Sequence, residues 1–98
     1  MENIAAIDLK KKYPDDIFFY NKNIEVDFFI PKEHRVIQVS HNVMDEITRQ
    51  REIKALLKLS EIHNLEQLEI VTYDEEATIR KNGLTIQIVP VWKWVLKT

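Results

Sequence analysis

The chain has 98 residues, 45% of them hydrophobic and 31% charged, with 16 acidic against 14 basic side chains for a net charge of −2. That length suits one small domain with a modest core, and the balance excludes a global basic field for nucleic acid while leaving room for a local basic patch. No cysteine is present, so disulfides and thiolate metal sites are excluded, which fits a cytoplasmic setting, and no run approaches the ~18 apolar residues of a membrane span.

Residues 3–12, NIAAIDLKKK, read as the end of a helix. Ile4, Ala5, Ile7 and Leu9 give it an apolar side, the lysines suit its C-terminal dipole, and Pro14 stops it. The chain begins inside this pattern, which reads as a fragment of something longer. IFFY, 17–20, is a short aromatic strand, followed by a turn at NKN, 21–23. In IEVDFFI, 24–30, strict alternation puts Val26, Phe28 and Ile30 on one face and Glu25, Asp27 and Phe29 on the other. PKEH, 31–34, is a loop, and RVIQVS, 35–40, is the third strand of an antiparallel meander. Residues 45–63 form one long helix with an apolar stripe at Ile53, Leu56, Leu57, Leu59 and Ile62, capped by Asp45 or Asn42 and stopped by Asn64. A strand follows within 65–74. Lys81-Asn82-Gly83 marks a hairpin, 84–90 is the last strand, and 91–98 is a closing helix. This order predicts an α+β domain over 1–98: a mixed sheet with an antiparallel N-terminal meander, one long crossover helix and short terminal helices.

If 31–34 joins its strands as a simple hairpin, Ile30 faces Arg35. Asp27 then falls opposite Gln38 and Glu25 opposite Ser40, with all four side chains on one face and opposed Cβ atoms about 5 Å apart. A bulge would break this register. A hard divalent cation asks for several oxygen ligands, and phosphodiester hydrolysis needs such an ion plus a nearby cation. This face offers two carboxylates, a neutral amide at Gln38, and a hydroxyl at Ser40 where a lysine is wanted. The same residues also suit the solvated face of an antiparallel pair.

The segments EVDFFI, RVIQVS, TRQREIKALLKLSE, LEIVTYDEE and IQIVPVWKWVL together resemble the C-terminal domain, of unknown function, of a family of prokaryotic AAA-type ATPases. That domain is similar to divergent members of the PD-(D/E)xK, restriction-endonuclease-like superfamily. The resemblance implies that the motif aspartate is Asp27 and that the (D/E)xK triplet falls on Gln38-Val39-Ser40, with both functional residues altered; Asp8 is a weaker match to an acid on the first helix. It implies a relic site at Asp27, Gln38 and Ser40, with Glu25 and Asp8 as further acids. No P-loop pattern GxxxxGK[ST] occurs in the 98 residues, so ATP and Mg²⁺ would belong to a parent chain.

Other residues are weighed against plainer roles. Lys10–Lys12 suit a solvated helix end, and Arg49, Arg51 and Lys54 suit salt bridges or a phosphate backbone. His34, His41 and His63 lack metal-ligand spacing. Ser40 and Ser60 lack a histidine–acid constellation. Tyr73-Asp74-Glu75-Glu76 reads as a polar turn or a cation loop. Trp92 and Trp94 would dock on the sheet or face a partner. The leading expectation is a non-catalytic accessory domain of an ATPase that needs no cofactor of its own. It would meet the upstream ATPase domain, another protein or nucleic acid, with no membrane role. The alternatives are an active Mg²⁺-dependent DNA nuclease using Glu25 and Asp27, and an oligomerisation module built on Trp92 and Trp94.

Overall fold

A computed structural model describes residues 2–21, 24–40 and 45–97. Six strands form one sheet in the order β1-β2-β3-β4-β6-β5. In chain order the elements are α1 (Glu2–Lys12), β1 (Phe18–Asn21), β2 (Glu25–Ile30), β3 (Arg35–Ser40), α2 (Glu46–Ile62), β4 (Gln67–Thr72), β5 (Ala77–Lys81), β6 (Leu84–Pro90) and α3 (Val91–Lys97). β1, β2 and β3 run antiparallel, as the meander predicts, and β3, β4 and β6 are parallel neighbours. β5 closes the far edge antiparallel to β6. The parallel β3–β4 pair requires a crossover connection, and α2 is that connection.

The core lies in two layers, one on each face of the sheet. On one face Ile53, Leu56 and Leu59 of α2 pack against Val36, Leu68, Ile70, Ile86 and Ile88. On the other, Ala5 and Leu9 of α1 and Trp94 of α3 pack against Ile37, Val39, Val71 and Val89. β3 is buried along its whole length because helices cover both faces, as expected of a strand with parallel neighbours.

Asp45 caps α2, accepting from the Ile47 amide and from the Thr48 hydroxyl. Those bonds, the Thr48 hydroxyl foremost, hold its carboxyl below the usual range. Asn42, the other candidate cap, and His41 lie outside the described residues. The helix ends at Ile62 with His63 at its C-cap, one residue before the expected Asn64. The β5–β6 hairpin turns at Asn82 and Gly83, both with positive φ (55° and 79°), the backbone that the Asn-Gly pair favours.

The face assignment along β2 departs from strict alternation. Phe18 pairs with Phe29 but Tyr20 pairs with Val26, so between these pairs β1 contributes one residue and β2 contributes two. This bulge at Asp27 and Phe28 resets the alternation. Val26 therefore joins Phe29 on the α2 face, while Phe28 and Ile30 face α1 and α3. Among the described residues no helix is long and apolar enough to cross a membrane.

Candidate functional site

The bulge opens a gap between β2 and β3, and two polar side chains close it. The backbone ladder pairs Ile30 with Arg35, Phe29 with Val36 and Phe28 with Ile37. At the next position Gln38 reaches across with its side chain. Its Oε1 accepts from the Asp27 amide at 3.0 Å, and its Nε2 donates to the Glu25 carbonyl at 3.0 Å. In return the Asp27 carboxylate accepts from the Val39 amide at 2.7 Å. These three bonds replace backbone pairs that the bulge removes, so the buried main chain stays satisfied. Asp27 and Gln38 meet as the register predicts. Glu25 does not pair with Ser40: the bulge ends the ladder first, and Glu25 contributes its carbonyl to Gln38 while its side chain is exposed.

α2 crosses this region with one flank turned toward the gap. Ile53, Leu56 and Leu59 face the core. Arg51, Glu52, Lys54, Ala55 and Lys58 line a groove of about 610 Å³ opposite Ile24, Glu25, Asp27, Gln38 and Val39. Arg51, Lys54 and Lys58 are exposed and form a basic ridge at i, i+3 and i+7 along the helix. None of the three makes an ion pair, whereas Arg49 is paired with Glu75 at the other end of the β4–β5 turn.

Glu52 is the acid that tertiary structure adds. Burial pushes its carboxyl up to about 7, and the Asp27 charge pushes the same way; the Ser40 hydroxyl and Arg51 pull it down by less. Ser40, only 2% exposed, faces Glu52 from β3, yet neither Ser40 Oγ nor Glu52 Oε2 makes a hydrogen bond of ordinary geometry. A half-buried carboxyl raised by desolvation and by a second acid in a groove marks a functional-site candidate.

The remaining sequence candidates fall elsewhere. Asp8 sits on α1, across the sheet from α2, and does not line the groove. Glu75 and Glu76 pair with Arg49 and Lys93, so the 73–76 turn is an ion-paired turn and not a cation loop. Ser60 Oγ donates to the Leu57 carbonyl within α2. His34 is exposed with Nδ1 at 2.8 Å from the Asn64 carbonyl, and His63 packs its ring against Phe29. Trp94 is fully buried, so the two tryptophans do not form one exposed surface; Trp92 alone is open, at 61%. Among the described residues there is no group of three or more His, Cys, Asp or Glu placed to hold a metal ion. Sequence reasoning missed Glu52 because it read α2 for its apolar stripe. The 51–52–54–55–58 flank beside that stripe was the available signal.

The chain is similar to an uncharacterized protein of Methanocaldococcus jannaschii, 36% identical over 107 aligned residues that take in 98% of this chain and 24% of that protein. The chain thus spans about a quarter of the length of the curated relative it matches. No protein-family model matches, and no solved structure matches.

Proposed function

We propose that this is a non-catalytic accessory domain of a prokaryotic AAA-type ATPase, a divergent restriction-endonuclease-like unit that acts by binding a partner. The observation that carries this reading is the use made of Gln38. Both ends of its amide are engaged in closing the β2–β3 gap, at the position where a PD-(D/E)xK nuclease places an acid. Ser40, where that motif has lysine, is buried and supplies no cation. The parent chain's ATPase module would hold the ATP and Mg²⁺. The match to one quarter of a longer archaeal protein supports a unit that works within a larger chain. Trp92 and Leu96 on α3, 61% and 81% exposed, offer apolar surface for the neighbouring module.

Two measurements test the proposal. The purified domain, at high concentration with Mg²⁺ or Mn²⁺, leaves duplex and single-stranded DNA uncut. A full-length polypeptide that carries this domain hydrolyses ATP at a rate that changes when Trp92 and Leu96 are replaced by serine. Metal-dependent cleavage that disappears in Asp27→Ala would overturn the reading. An unaltered ATPase rate would remove the accessory role.

The second reading, a Mg²⁺-dependent nuclease, is favoured by one observation: Glu52 brings a second carboxylate beside Asp27, with Arg51, Lys54 and Lys58 as a basic wall. The cleavage assay discriminates between the two.

A further inference from the structure

We propose that the groove between β2–β3 and α2 binds a divalent cation of the Mg²⁺/Mn²⁺ class through the carboxylates of Asp27 and Glu52, with the Ser40 hydroxyl beside them. Glu52 takes the place of the acid that Gln38 lacks, and it comes from a helix rather than from the strand.

Three oxygen-bearing side chains converge here from three elements: Asp27 from β2, Ser40 from β3 and Glu52 from α2. Asp27 and Glu52 are close enough for one charge to oppose ionisation of the other. Two like charges held together by packing repel unless something positive lies between them. The cations in view, Arg51, Lys54 and Lys58, stand on the exposed flank of α2 and make no ion pair with either acid.

The second observation is independent of charge. Ser40 is 2% exposed and its Oγ has no hydrogen-bond partner. Glu52 Oε2 is likewise buried and without one. Buried polar atoms in folded proteins are nearly always satisfied, by protein, water or ion. Two orphaned oxygens facing each other across a helix–strand contact, next to a second carboxylate, are satisfied together by one hard cation. The donor set fits such an ion: Mg²⁺ keeps several waters and commonly takes one or two carboxylates from the protein. Asp27 remains held to the Val39 amide through one oxygen, and a carboxylate has lone pairs for a further contact. Gln38 is not needed as a ligand, because its amide belongs to the strand clip.

The inference goes beyond the accessory reading and does not depend on the ATPase link. Its test is a water-proton relaxation titration of the whole chain with Mn²⁺, which reports bound metal without any activity. One Mn²⁺ binds the unaltered protein. Glu52→Gln, which keeps the shape of the side chain, weakens binding by about tenfold or more, and Asp27→Asn does the same. Ser40→Ala gives a smaller loss, and Glu46→Gln, at the exposed start of α2, gives none. Circular dichroism on each variant separates loss of the ion from loss of the fold. Relaxation identical to protein-free buffer, or full affinity in a folded Glu52→Gln protein, overturns the proposal. Cleavage assays on the same samples keep the two ideas apart. Binding without cleavage supports both this site and the accessory role. Cleavage lost in Glu52→Gln supports the site and overturns that role. Absence of both binding and cleavage removes the site alone.

Discussion

Replacing Glu52 by glutamine should make the protein more stable at pH 8 and change how stability depends on pH. In the fold this carboxyl is raised from its ordinary value of 4.5 to about 7, chiefly by burial and then by Asp27. A raised acid binds its proton more tightly folded than unfolded. Its protonated form therefore favours the fold, with the full benefit below pH 4.5, a decline as pH rises to about 7, and none above. At about 1.4 kcal/mol per pKa unit the shift sets a ceiling of about 3 kcal/mol, and partial solvent contact reduces the expected effect to about 1–2 kcal/mol. The groups facing Glu52 are Asp27 on β2, Ser40 on β3 and Arg51 on its own helix. Glutamine keeps the volume and removes the charge, so the difference between the two proteins isolates this single titration. Urea unfolding at a series of pH values without divalent metal reads it directly. The two stabilities should diverge from pH 4.5 upward, by at most about 1.4 kcal/mol per pH unit, and run parallel above pH 7. Parallel curves across the whole range would show that Glu52 titrates normally and lies in water.

Gln38→Ala should destabilise the fold by about 1–3 kcal/mol, because it leaves the Asp27 amide and the Glu25 carbonyl without partners. Hydrogen exchange should show the Asp27 amide losing protection while Ile37 and Val36 keep theirs; unchanged exchange at Asp27 would refute the clip. The Arg35–Glu69 ion pair lies under α1 and α3, with Arg35 also contacting the Tyr13 hydroxyl and lying 5.7 Å from the Trp94 ring centroid. Burial alone lowers the Arg35 pKa, and the Glu69 carboxylate more than reverses this, so the guanidinium stays charged. Glu69→Ala should then cost about 3–5 kcal/mol, whereas Arg35→Met with Glu69→Leu should come close to neutral. Thermal unfolding of the two single variants and the double variant checks this, and additive losses would refute the coupling.

Gln38 also bears on the idea of restoring a nuclease motif at this hairpin. Gln38→Glu would set a carboxylate oxygen against the Glu25 carbonyl where Nε2 now donates. The substitution adds a charge and breaks the strand clip in the same step. Acid character in this groove therefore comes from α2 without cost to β3.

The sequence by itself determined the element order, the antiparallel meander, the long crossover helix and the Asn82-Gly83 turn, because each follows from local periodicity and local backbone preference. It also placed Asp27 against Gln38, since a hairpin register carries the pairing across a short loop. The β2 bulge was not legible, because Val26 and Phe28 are both apolar and suit either face. Only packing against α2 on one side and Trp94 on the other decided which went where. Glu52 was legible as a helical charge, but its meeting with Asp27 and Ser40 required α2 to cross back over β2 and β3. Contacts between residues far apart in the chain are set by the packing of layers, and no local pattern encodes them.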